Sequence, residues 1–168
     1  MRIIGIDPGL QRTGWGIIDV AGNRLTHVSH GVVTTGSQEP TAERLIKIFD
    51  GLTQMMTLWQ PDAAAIEETF VNRNPASSLK LGLARGVAMV APAKMGIAVA
   101  EYPANMVKKA VVGAGHAEKE QVQAMIKILL PGVEASSDAA DALAVAICHA
   151  HHAMSRVRMG GIMSGGVR

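Results

Sequence analysis

The 168-residue chain has a single cysteine, Cys148, and aromatic residues make up only 3% of it. One cysteine excludes a disulfide framework and fits a reducing compartment. With so few aromatic rings, the core must be filled by Ala, Val, Ile, Leu and the ten Met. Charge is also sparse, at 18% against 48% apolar residues, which excludes a disordered chain. No apolar run approaches the ~20 residues needed to cross a bilayer. The first apolar run meets Asp7 where a secretory signal would still be apolar. A soluble, cytoplasmic protein is expected. The length suits one domain, since domains run to roughly 100–200 residues. Roughly two-thirds of the unfolded surface can be buried at that size without a metal or disulfide staple.

The formal net charge of +2 conceals an uneven distribution. Residues 1–71 hold five basic and eight acidic side chains, whereas residues 72–119 hold seven basic and two acidic ones. Residues 120–168 are balanced, with four of each. A basic middle third points towards an anionic partner, although lysines and arginines that merely solvate a surface would give the same count.

Ile3 to Ile6 is a short apolar run stopped by Asp7-Pro8-Gly9, as expected of a buried strand ending in a turn. Residues 14–20 and 24–35 are rich in β-branched residues, and Gly22-Asn23 supplies a turn between them, so three antiparallel strands are predicted. Pro40 and Thr41 open a helix with Leu45, Ile48, Phe49, Leu52, Met55 and Trp59 on one side, closed by Pro61-Asp62. Ala63 to Glu67 reads as a second buried strand. A helix over 76–91 follows, then a strand at 97–101, a short helix after Pro103, and helices over 118–130 and 138–154. The pattern turns from a meander to alternating strand and helix, within one α/β domain over 1–155. Residues 156–168, with four Gly and three Arg, are expected to form a disordered tail. Gly82 and Gly86 stand four apart inside the 76–91 helix, where each costs about 1 kcal/mol against Ala. Their presence suggests the close approach of another backbone.

Four acids sit where solvation does not explain them. Asp7 ends the first strand, at the strand end where open α/β sheets place ligands. Glu67 ends the second buried strand. Asp138 and Asp141 are three apart at the start of the last helix, which puts them on one face about 4.5 Å apart in rise. Each has an ordinary explanation: turn chemistry for Asp7, a strand leaving the core for Glu67-Glu68, the helix macrodipole for Asp138. Together they suggest a divalent-metal site, because clustered carboxylates repel unless a cation neutralises them. Oxygen-only ligation suits Mg²⁺ or Mn²⁺. His149, His151 and His152 do not join that centre: eleven residues of helix separate His152 from Asp141, about 16 Å. They are expected at a solvated helix end, and Cys148 is expected to be structural.

The ordered set of segments resembles the RuvC family of bacterial Holliday-junction resolvases, part of the ribonuclease-H-like superfamily. The matching segments are Gly5-Ile-Asp-Pro-Gly9, Gly14-Trp-Gly16, Ala65-Ile-Glu67, Leu79-Lys-Leu-Gly82 with Ala84-Arg-Gly-Val87, Val111-Val-Gly113, Ala117-Glu-Lys119 with Gln121-Val122, and Asp138-Ala-Ala-Asp-Ala-Leu-Ala144. They span residues 3 to about 150. The resemblance implies an α/β, ribonuclease-H-like fold: a five-stranded mixed sheet, its first three strands antiparallel, flanked by helices. It implies catalytic, metal-holding carboxylates at Asp7, Glu67, Asp138 and Asp141, and it selects Glu67 over Glu68 through the Ala-Ile-Glu frame. Two Mg²⁺ ions per site are implied, with Mn²⁺ a substitute, hydrolysing a phosphodiester. Lys108 and Lys119 match lysines that approach the DNA near the scissile site. Phe70 matches an aromatic that probes bases at the strand-exchange point, and Arg73 beside it is an expected phosphate contact.

The expected activity is therefore that of a homodimeric endonuclease that nicks two opposed strands of a four-way DNA junction, in recombination and repair. The Gly82/Gly86 helix is the candidate dimer seam, and the branch-migration complex RuvA–RuvB is a partner implied by the resemblance alone. Three alternatives stay open: another ribonuclease-H-like nuclease acting on hybrids or single strands, an actin-like ATPase or sugar kinase, and a junction-binding protein without catalysis.

Overall fold

The computed structural model describes residues 1–68 and 74–163, the stretch from 154 onwards as backbone only. Phe70 and Arg73 lie outside the described residues. Five strands and five helices follow one another as β1 (Arg2–Asp7), β2 (Arg12–Ala21), β3 (Arg24–Thr34), α1 (Thr41–Trp59), β4 (Ala63–Glu68), α2 (Pro75–Lys94), β5 (Ala98–Pro103), α3 (Ala104–Val112), α4 (Lys119–Leu129) and α5 (Ser137–Met163). The strands form one mixed sheet in the order β3-β2-β1-β4-β5. β1 pairs antiparallel with β2, and β2 with β3, while β1–β4 and β4–β5 are parallel. This is the five-stranded mixed sheet expected, with a meander on one side and crossover connections on the other.

Local chemistry sets the boundaries. Gly22, at φ +58°, closes the β2–β3 hairpin in the left-handed region that glycine enters without a Cβ penalty. Asn74 caps α2 by accepting from the amides of Ala76 and Ser77, and a Glu118/Gln121 capping box starts α4.

Strand alternation divides the sheet into two unlike faces. Ile4 and Ile6 of β1, Trp15 and Ile17 of β2, and Ala64 and Ile66 of β4 face α1 and α2, packing with Ile48, Leu52, Met56, Ala84 and Ala88. Ile3, Ile18 and Ala65 face the other way, into a core built with α3, α4 and α5. Gly5, Gly14 and Gly16 share that second face. A Cβ on Gly5 would overlap the Ala142 carbonyl, on Gly14 the Asp138 carbonyl, and on Gly16 the Leu143 side chain. These glycines let α5 lie directly on β1 and β2. Covered by the sheet beneath and by α3 and α4 above, α5 is apolar almost all round from Ala139 to Ala150.

Two expectations are corrected here. The last helix does not stop at 154: it continues to Met163. Adding residues to an established helix avoids the cost of nucleation, and Arg158 and Met159 are good helix formers. The histidines accordingly do not form a solvated helix end. Tyr102 Oη and His149 Nδ1 share a hydrogen bond at 2.9 Å, His152 stacks on the Tyr102 ring, and His151 Nδ1 lies 3.1 Å from the Ala110 carbonyl. Gly82 and Gly86, on α2, have open space beside them: among the described residues of this chain, a Cβ on either would find nothing within 4 Å.

Candidate metal and nucleic-acid site

The same alternation that places Gly5 and Ala65 against α5 points Asp7 and Glu67 towards that side, at the ends of the adjacent parallel strands β1 and β4. Glu68 has the opposite parity. Asp7 lies opposite Gly14 in the β1–β2 register, and Gly14 is where the first turn of α5 comes down onto the sheet. Two strand-end acids and two helix-start acids are thereby brought together by backbone packing rather than by any direct bond between them.

Asp7, Glu67 and Asp141 line one cavity of about 270 Å³, together with Lys108 and Lys119 and with Ala104, Val107, Val122 and Ala144. Lys108 comes from α3, which Val107 and Val111 anchor in the core, and Lys119 is the first residue of α4. Lys119 Nζ sits 2.8 Å from Asp141 Oδ2. Asp138 does not line the cavity; its Oδ2 accepts from Arg12 Nε at 2.7 Å. Of the residues singled out in the sequence, Gly82 and Gly86 lie apart from this cavity on α2.

The electrostatics raise both strand-end acids. Burial pushes the Asp7 carboxyl up to about 8, and the charges of Glu67, Asp141 and Asp138 push in the same direction against Lys119. Burial, then Asp141, raises Glu67 to about 7, opposed by Lys108 and Lys119. Lys119 is held above its ordinary value chiefly by its hydrogen bond to Asp141. Among the described residues, no three His, Cys, Asp or Glu side chains already form a metal-holding group. Two of the four acids are instead tied to Arg12 and Lys119. The donor set nonetheless fits a hard cation: it is all carboxylate oxygen, and the charge of half-buried Glu67 disfavours ionisation of half-buried Asp7.

Arg12 is the site residue that sequence reasoning missed. It shares strand parity with Gly14 and Gly16, so its side chain projects from the face on which α5 rests. That signal was available, but only to a reader who already knew which helix covers that face. Cys148 is buried in the same helix, its thiol pushed up to about 12 by that burial, and it has no part in the cavity.

The family model for "Crossover junction endodeoxyribonuclease RuvC" matches residues 3–149. The chain belongs to the RuvC family. It is 60% identical over 153 residues to the RuvC of Paramagnetospirillum magneticum, covering 90% of this chain and 92% of that one. The Rhodopseudomonas palustris protein is 58% identical over 95% of this chain and 92% of its own. Among solved structures, Thermus thermophilus RuvC in complex with a Holliday junction substrate superposes with a TM-score of 0.87 at 36% identity, covering 93% of this chain and 96% of the other. The yeast mitochondrial Holliday junction resolvase, 12% identical with a TM-score of 0.63, shares the fold. The fold is thus ribonuclease-H-like and the chain is a nuclease of a metal-dependent family. Among the described residues, no helix is long and apolar enough to cross a membrane.

Proposed function

We propose that this chain resolves four-way DNA junctions by paired symmetric nicks, acting as a homodimer in the cytoplasm, where the DNA is. The observation that carries this reading is the convergence of Asp7, Glu67 and Asp141 with Lys108 and Lys119 on one cavity, in a chain that superposes closely on a relative holding a junction.

Asp7, Glu67 and Asp141 would hold Mg²⁺, two ions per site with Mn²⁺ a substitute, and Asp138 would close the set from the first turn of α5. Bound ions of this kind activate water and stabilise the leaving oxygen of a phosphodiester. The chain's own groups do the rest. Asp7 and Glu67 release the protons that their burial favours, and so become oxygen donors. Arg12 fixes the Asp138 carboxylate, so that this acid enters the site in one orientation. Lys108 and Lys119 face the cavity with positive charge and offset the charge that develops on the phosphate during in-line displacement. Phe70 and Arg73, in the segment between β4 and α2, would meet the bases and a phosphate at the exchange point.

Two matching nicks require two equivalent sites, and a symmetric substrate calls for a symmetric enzyme. The exposed face of α2 is the proposed seam: Leu79, Leu83 and Val90 are 68%, 39% and 55% exposed, with Gly82 and Gly86 open beside them. RuvA–RuvB would deliver the junction.

The decisive test uses a synthetic junction labelled on each strand, with Mg²⁺, and compares the protein with its Asp7→Asn variant. Paired symmetric nicks are expected from the first. The variant should bind the junction with cleavage reduced at least about a thousandfold, the scale on which removal of a group acting in the transition state is felt. Equal cleavage by both would remove Asp7 from the site. Preferential cleavage of an RNA–DNA hybrid would replace the junction as substrate.

A further inference from the structure

Across the sheet from the acidic cavity, at the same edge, lies a second cavity of about 420 Å³ lined by Leu10, Gln11, Ser37, Arg44, Ser77, Lys80 and Leu81. It opens between the loop that follows Asp7, the loop before α1, and the first turns of α2. Its lining includes no acid and two cations.

Arg44 is unusual in this setting, being only 8% exposed. It is fixed at one point: Nε donates to the Thr35 hydroxyl at 2.9 Å, and that hydroxyl donates to the Leu10 carbonyl at 2.6 Å. Its Nη groups make no hydrogen bond to any described residue. The nearby acid makes no hydrogen bond to them: Glu39 Oε1 accepts from Lys47 Nζ at 2.7 Å and Oε2 is buried without a partner, so Glu39 feels Arg44 only through its charge. A buried guanidinium held at Nε, with its outer nitrogens free beside a cavity, presents a preformed fork. Lys80 adds a mobile point charge, and Ser77 and Gln11 add polar groups at the rim. The backbone amides of Ala76 and Ser77 are already taken by the Asn74 side chain, so any binding here belongs to side chains and not to the helix terminus.

We infer that this cavity is a phosphate subsite, in which Arg44 and Lys80 hold a backbone phosphodiester of the DNA strand that crosses the sheet edge from the acidic site. The inference rests on the junction reading for its substrate and adds a contact that the acidic site does not require. Leu10 ties the two cavities together. Its carbonyl anchors the Thr35–Arg44 chain, and it belongs to the loop that starts at Asp7, so a phosphate held here fixes the strand at a set distance from the scissile bond.

Binding of a labelled junction without divalent metal, over a series of salt concentrations, tests this with Lys80→Ala and Arg44→Lys. Lys80 is exposed, so its replacement leaves the core alone. Arg44→Lys keeps the charge and loses the fork, and its melting curve reports whether it has folded. Each variant should bind about tenfold more weakly, the scale of one charge-assisted hydrogen bond. The slope of log K against log salt should shrink by about one for Lys80→Ala. Methylphosphonate placed at successive positions of the junction should weaken the native protein at one phosphate near the cut, while Lys80→Ala is nearly indifferent to it there. Unchanged affinity and slope in Lys80→Ala, with no phosphate at which the two proteins differ, would overturn the subsite and leave the junction reading standing. If the native protein bound junction no better than duplex, the junction reading would fall, and the same variants measured on duplex would decide the subsite.

Discussion

The two faces of the sheet are built on different rules. The face towards α1 and α2 is conventional: Ile4, Ile6, Trp15, Ile17 and Ile66 meet Ile48, Leu52 and Met56, and side chains fill the space between layers. The face towards α5 gives that filling up at Gly5 and Gly14, where sheet and helix touch backbone to backbone, and at Gly16, which lies under the Leu143 side chain. The first arrangement stabilises by buried area and tolerates small adjustments. The second fixes a helix in depth and register, because the backbone carbonyls over Gly5 and Gly14 cannot rotate out of the way. The acids occur on the second face. Asp7 and Glu67 continue the rows of Gly5 and Ala65, and Asp138 and Asp141 begin the helix that those rows admit.

The largest effect is therefore expected where this close contact is broken. Gly14→Ala puts a methyl group into the Asp138 carbonyl, and a backbone oxygen in the middle of a layer cannot yield. A loss of about 3 kcal/mol or more in denaturant unfolding is expected, at the top of the range for overpacking. Cleavage should fall with it, since α5 carries two of the four acids. Ile66→Val on the opposite face should cost about 1 kcal/mol and leave cleavage intact. If both variants cost the same and both cleave, the two faces do not differ in the way described.

A second test isolates the acids by pH. The folded chain holds the protons of Asp7 and Glu67 more tightly than the unfolded chain does, with values of about 8 and 7. Their contribution to stability is complete below about pH 4, the unfolded range, and is lost as pH rises through 7 to 8. Metal must displace those protons, so Mg²⁺ affinity should climb across the same interval and binding should release protons. Calorimetry at pH 7 in two buffers of different ionisation enthalpy measures that release. A heat independent of buffer would mean that the acids are already ionised. Asp7→Asn should abolish part of the release and flatten the pH dependence of apo stability, while Ile66→Val should change neither.

Lys108→Ala should act more gently. It removes one cation facing the cavity without touching the core, so junction binding should weaken several-fold and its salt slope should fall by about one. Unchanged binding and cleavage would make Lys108 an ordinary surface lysine.

What could be read from the sequence follows the same division. The strand ending at Asp7 and the choice of strand and helix segments were legible, because turn chemistry, β-branching and period-2 alternation act within a few residues. The choice between Glu67 and Glu68 needed the family frame, as alternation says only that one of them must point away. The Arg12–Asp138 pair was not legible: it joins residues 126 positions apart and exists because α5 lands on Gly14. The histidines were misplaced for a related reason. Their helix was ended by its change in composition after 154, whereas the backbone carries on and leaves Tyr102 and α3 to engage the rings. Glycine was the most ambiguous signal. Gly14 and Gly82 look alike in a string of letters, yet one lies under a helix backbone and the other has open space beside it among the described residues.

That last contrast gives the smallest effect and a sharp one. Gly82 and Gly86 lie inside α2 with open space around them, so within one protomer each should gain about 0.5–1 kcal/mol on replacement by Ala. Against the cost expected for Gly14→Ala, the same chemical change reverses sign between the two faces. If α2 is the seam, larger side chains should tell against assembly even though the protomer has room for them. Gly82→Leu with Gly86→Leu should hold the protomer's melting temperature and shift sedimentation at micromolar protein towards monomer. A dimer that survives both replacements, or a native protein already monomeric at that concentration, would move the seam off α2. A protomer destabilised by the Ala replacements would mean that these glycines answer to a contact inside the chain after all.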